Sequence, residues 1–168
     1  EADLWDIEVD DHGVYITGYQ TQKLGHEGNI LFSVHHPENA WDVEVDTAGN
    51  IYVGSRSGVE KYDGVGELIW RQYSSASDAA KLNFNVNIEL SDDDVIAWAA
   101  NAGDSKSSDI QVMDEFGDVN WSKSLSKTET FNLQALPQLT FVGGELLVAV
   151  SNNDYRKVVS YNDTGRQQ

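Results

Sequence analysis

Apolar and polar residues alternate along most of this chain with a period of two, the mark of strands that bury one face. The alternation comes in matched stretches. Trp5-Asp6-Ile7-Glu8-Val9-Asp10 and Trp41-Asp42-Val43-Glu44-Val45-Asp46 differ little and lie 36 positions apart. Each runs into a turn, Asp11-His12-Gly13 or Thr47-Ala48-Gly49-Asn50, and then into a second apolar strand, Val14 to Gly18 or Ile51 to Ser55. Gly and Asn supply the positive φ that tight hairpin turns demand, so both stretches are expected to be hairpins. Two weaker copies follow. Val86, Ile88 and Leu90 alternate, residues 91–94 turn, and Val95-Ile96-Ala97-Trp98 continues. Leu139 and Phe141 lead through Val142-Gly143-Gly144-Glu145 into Leu146 to Val150, with Pro137 tolerable only at a strand start or edge. No helical period is sustained; residues 74–82 offer a single turn of helix at most.

The second half of each unit keeps a fixed spacing. Asp63 precedes Gly66 by three positions and Trp70 by seven, and Asp114 stands in the same way to Gly117 and Trp121. Gly25, Gly28 and Phe32 preserve these intervals without the aspartate, while Asn162 and Gly165 preserve the first of them. Each unit therefore reads as four short antiparallel strands, the fourth carrying an aromatic. Tandem units of this size are the sequence form of propeller blades, each leaning on the next because one sheet cannot cover both its own faces. The expected fold is all-β, with about four blades over residues 4–37, 40–74, 84–126 and 136–168. The last lacks its outer strand, so the ring is expected to be open, part of a larger propeller, or completed by another chain.

The run from Ile51 to Ser55, then Gly58 to Asp63, then Gly66-Glu67-Leu68-Ile69-Trp70, resembles the PQQ-like repeat of quinoprotein-type β-propellers. The resemblance is close over residues 51–70, fair over 109–121 and partial elsewhere. It implies that the Gly and Trp of that repeat dock one blade on its neighbour. It does not imply the quinone, since propeller repeats of this kind serve many functions.

Charge changes the picture of partners. Against 28 acidic side chains stand 11 basic ones, a formal net charge of −17. Nucleic acid is not an expected partner, because phosphate binding needs clustered Lys and Arg. No apolar run approaches the roughly 20 residues that cross a bilayer as a helix. There are no cysteines, so disulfides, thiolate metal sites and cysteine nucleophiles are excluded. Asp and Glu are scattered throughout, and such self-repulsion is relieved at molar salt, where the Debye length is about 3 Å. A salt-loving source is the expectation.

Candidate chemistry is sparse. His35-His36-Pro37-Glu38 could ligate a metal but reads better as a solvated loop, and Asp92-Asp93-Asp94 could bind calcium but reads better as a turn. Gly54-Ser55-Arg56-Ser57-Gly58 approaches a nucleophile elbow, yet no helix follows it. Phe32, Trp70 and Trp121 read as packing residues. Trp98 departs from the small residues at Gly54 and Ala149, and the polar insertion over residues 102–109 includes Asp104, Lys106 and Asp109. Those four residues are the expected partner contacts. Asn162 and Asn120 head the two glycosylation triplets. The expected function is a non-enzymatic propeller module that presents loops (102–109 and 71–83) to a protein or glycan, without cofactor. Its expected setting is a cell or virion surface in a salty medium. A fragment of a quinoprotein-like oxidoreductase, or a structural element that pairs through a sheet edge, are the alternatives.

Overall fold

The computed structural model describes residues 4–37, 39–55, 57–73, 82–102, 108–125, 137–151 and 156–168. These form two compact units, Glu1–Tyr73 and Ser74–Gln168. The expected all-β architecture is what the chain adopts.

In the first unit, strands β1 (Leu4–Asp10), β2 (Gly13–Gly18), β3 (Gln20–Leu24) and β4 (Ile30–His35) make one antiparallel meander. A second is formed by β5 (Ala40–Val45), β6 (Ile51–Ser55), β7 (Gly58–Tyr62) and β8 (Leu68–Tyr73). The second unit repeats the plan with β9 (Leu82–Leu90), β10 (Ile96–Ala102), β11 (Ser108–Met113) and β12 (Val119–Leu125). Its other sheet has three strands among the described residues, β13 (Gln138–Val142), β14 (Glu145–Ser151) and β15 (Arg156–Tyr161). A bridge from Tyr161 to Gln167 is the rudiment of a fourth.

The Asp-to-Gly spacing has a local cause. Asp63 accepts hydrogen bonds on Oδ1 from the amides of Val65 and Glu67, at 3.0 and 2.9 Å, and so closes the turn with its side chain. Asp114 does the same for Phe116 and Asp118, and Asn162 for Thr164 and Arg166. Such a turn places its fourth residue in the left-handed region, where Gly66 has φ 90° and Gly165 φ 72°. Ser91 substitutes for the carboxylate in the turn before β10, where Asp94 takes the left-handed place at φ 57°.

The three outer strands among the described residues carry the same irregularity. The register slips between Lys23 and Leu24 opposite β4, between Lys61 and Tyr62 opposite β8, and between Val112 and Met113 opposite β12. The aromatic lies directly beyond each slip, paired with Lys23, Lys61 or Val112. A bulge of this kind re-aims a side chain. Phe32 is thereby delivered to the adjoining sheet of the first unit, where its ring stands 2.8 Å from the point a Cβ on Gly66 would occupy. Trp121 reaches its neighbour identically, 2.7 Å from the corresponding point at Gly165. Only glycine admits a ring that close.

The cores follow from this docking. In the first unit Tyr15, Phe32 and Val34 pack on Val43, Ile51 and Val53. In the second Ala97, Ala99, Ile110 and Val112 pack on Leu139, Leu146, Val148 and Tyr161. The repeated Trp-Asp pairs lace the inner strands of the first unit: Trp5 stacks on Trp41 at 4.2 Å, and Asp6 accepts the Val43 amide at 3.1 Å.

One alignment within the repeat needs correction. The register sets Ile96 opposite Met113 and Trp98 opposite Ile88, so Trp98 matches Val53 and Val148 rather than Gly54 and Ala149. Ala99 holds the small-residue place. Val95 is the last residue of the Ser91 turn, and its apolar side chain imitates a strand start.

Candidate functional site

Of the four expected contact residues, two fall among the described residues, both within strands of the second unit. Trp98 is fully buried at 0% exposure, on the face of its sheet opposite Ala97 and Ala99, and is withdrawn from any partner. Asp109 lies within β11 rather than in a loop and accepts a hydrogen bond from the Ser124 hydroxyl. Asp104 and Lys106 lie outside the described residues, as does most of each expected specificity loop and the stretch read as a helical turn. Asn162 Oδ1 is engaged by the Thr164 amide and hydroxyl, and Asn120 is exposed within β12.

What the structure does bring together is a cleft in the second unit, about 760 Å³ in volume, where the two sheets diverge beside the Trp121–Gly165 contact. Buried Val112 and Leu146 and half-buried Trp121 and Phe141 supply its apolar lining. Asp92, Asp93 and Asp163 are exposed on it, and Glu89 accepts the Thr140 hydroxyl at 3.1 Å beside them. Among the described residues, every charged side chain lining the cleft is acidic. Asn120 and Asn162 line it as well, so a glycan on either would obstruct it. Asp92 and Asp93 thus belong to a cleft as well as to a turn. Among the described residues no three His, Asp or Glu side chains converge as metal ligands.

The first unit holds a second constellation, sealed rather than open. His36, expected in a solvated loop, has a side chain at 0% exposure. Its Nε2 lies 2.8 Å from Thr21 Oγ1 and its Nδ1 2.8 Å from Glu60 Oε2. Thr17 continues the chain to Thr21 at 2.8 Å, the Tyr62 phenol donates to Glu60 Oε2, and Arg71 Nε donates to Glu60 Oε1 at 2.5 Å. Burial raises the Glu60 carboxyl, but hydrogen bonds from His36 and Tyr62, with the Arg71 charge, outweigh it and hold the group below its ordinary 4.5. Burial and the Glu60 hydrogen bond push the Tyr62 phenol well above its usual range. The hydroxyl–imidazole–carboxylate order is that of a hydrolytic triad. Its hydroxyl is 1% exposed and already bonded to Thr17, so no substrate reaches it. The network ties β3, the end of β4 and β7 together. Its sequence signal was a glutamate in mid-strand, between Val59 and Lys61, where a buried strand expects apolar residues.

Comparison with known proteins agrees with this architecture. No family model matches the sequence, and no curated protein matches it. Solved structures do. A protein of unknown function from Bacteroides caccae superposes with a TM-score of 0.60 at 14% identity, covering 92% of this chain and 55% of that one. BamB from Moraxella catarrhalis gives 0.57 at 14% identity, covering 99% and 61%. Both BamB and regucalcin are propellers. The fold is a β-propeller. Regucalcin from Agrobacterium tumefaciens, described as a calcium-binding protein, gives 0.51 at 9% identity, covering 98% and 72%. This chain spans little more than half the length of the first two of these proteins. At such identities the likeness is one of fold alone.

Proposed function

We propose that this propeller is a non-enzymatic binding and scaffold module, with PQQ-like repeats, that grips a partner through the cleft of its second unit. The observation that carries the reading is the cleft's composition: among the described residues, an aromatic and aliphatic lining with only carboxylates for charge. Such a surface favours a cationic group with an apolar stem, a lysine or arginine of a partner protein, through carboxylate pairing and cation–π contact with Trp121. An amine-bearing glycan has the same complementarity. The sealed state of the Thr21–His36–Glu60 chain supports the non-enzymatic part of the proposal. The acidity supports an exposed setting in a salty medium, a cell or virion surface.

The test is calorimetric titration of the intact protein with an arginine-containing hexapeptide and with its glutamate counterpart. Only the basic peptide is expected to bind. Asp93→Asn and Asp163→Asn should each weaken it about three- to fivefold, the worth of an exposed charge pair. Asp11→Asn and Glu27→Gln, exposed in the first unit, remove the same charge elsewhere. If these controls weaken binding equally, the peptide senses net charge and the cleft is not its site.

A further inference from the structure

Two tyrosine–lysine pairs hold equivalent places in the two sheets of the first unit. Tyr15 lies opposite Lys23 across β2 and β3, and Tyr52 opposite Lys61 across β6 and β7. In each pair the ammonium stands over the tyrosine ring, 5.1 Å from its centre for Lys23 and 4.8 Å for Lys61. The pairs differ in their acceptor. Asp46 sets one carboxylate oxygen, Oδ2, 3.2 Å from the Tyr52 hydroxyl and 3.8 Å from Lys61 Nζ, so a single anionic atom serves both donors. The first sheet has Asp10 at the corresponding place, but its hairpin is one residue shorter: Val9 pairs with Val14, whereas Val45 pairs with Ile51. Asp10 is engaged by its own turn, where it accepts the His12 and Gly13 amides at 2.7 and 2.9 Å. Tyr15 is 0% exposed, and its hydroxyl has no partner. Lys23 is 8% exposed, and its ammonium reaches the Gly64 carbonyl at 3.5 Å, beyond the usual range of such a bond. Among the described residues no carboxylate pairs with it.

We infer that Tyr15 and Lys23 form a binding site for one small monovalent anion, chloride, within the first unit. The inference is independent of the cleft. Two buried donors without an acceptor are costly, and an anion held between them offsets that cost. The second pair fixes the class and the place of the occupant: one negative atom at the point that Asp46 Oδ2 holds against Tyr52 and Lys61. Water is the poorer fit, because it accepts a hydrogen bond without compensating the charge of a buried ammonium. The net charge of −17 opposes the anion at long range, and molar salt screens that opposition. Glu8, half-buried opposite Tyr15 on β1, is the competing group.

Diffraction from crystals of the intact protein grown in sodium bromide tests the site, since bromide stands for chloride and scatters anomalously. An anomalous peak is expected within hydrogen-bond reach of both Tyr15 Oη and Lys23 Nζ. A water at that point, the Glu8 carboxylate turned onto Lys23, or no peak overturns the inference. In solution, thermal midpoints are compared as potassium chloride replaces potassium gluconate, an anion too large for the site, at constant ionic strength. Chloride should raise the midpoint with the logarithmic dependence of a bound ligand. Tyr15→Phe and Lys23→Met should each lose most of that rise, and Tyr52→Phe should keep it, because Asp46 already serves Lys61. If Tyr15→Phe responds to chloride as the native protein does, any bromide peak is an adventitious ion only and the inference fails.

Discussion

Glu60 is the residue on which most of the first unit's polar interior depends. Its carboxylate receives His36, Tyr62 and Arg71 at once, with a side chain 4% exposed. Removing one member of a buried ionic cluster strands the others without partners. Glu60→Ala is therefore expected to cost about 3 kcal/mol or more, read from the denaturant midpoint. The pH dependence follows from the lowered carboxyl. A group whose folded value lies below its unfolded 4.5 contributes stability above that pH and loses it as pH falls through the folded value. The stability gap between the native protein and Glu60→Gln should thus be full at neutral pH and close progressively below about pH 4.5. A gap that persists unchanged into acid would mean that the carboxylate charge is not what the network uses.

At the scale of elements, the turns and inner strands were legible because local chemistry decides them. Asp63 or Asp114 three positions before a glycine encodes a side-chain-closed turn, and the geometry agrees atom by atom. The aromatic spacing was legible for the same reason, although the bulge that aims Phe32, Trp70 and Trp121 leaves no distinctive residue. Where position was read from hydropathy alone, one apolar turn residue sufficed to mislead. Val95 shifted β10 by a place and moved Trp98 to the wrong face, since a one-residue slip inverts every side chain of a strand. The cleft was illegible because its residues come from separate strands and turns, Asp92 and Asp163 among them, with no spacing to connect them. His36 was misread because its partners, Thr21 and Glu60, lie 15 and 24 positions away.

For the whole molecule two consequences stand out. Of 11 basic residues, Lys23 and Lys61 are buried, at 8% and 7% exposure, beside Tyr15 and Tyr52. The surface is thus short of cations beyond what the net charge states, and thermal stability should climb as KCl is raised from about 0.1 M, where the Debye length is about 10 Å, to molar concentrations. A midpoint indifferent to salt would remove the argument for a saline setting. The other consequence is that, within each unit, one sheet is held to the other by an aromatic ring on a left-handed glycine. Gly28→Ala, Gly66→Ala and Gly165→Ala separate that contact from backbone strain, because all three share the conformation and only two lie under a ring. Strain alone costs about 1 kcal/mol at each. Denaturant unfolding in high salt should show Gly66→Ala and Gly165→Ala losing about 1–3 kcal/mol more than Gly28→Ala, the cost of overfilling a packed contact. Equal losses at the three positions would contradict the account.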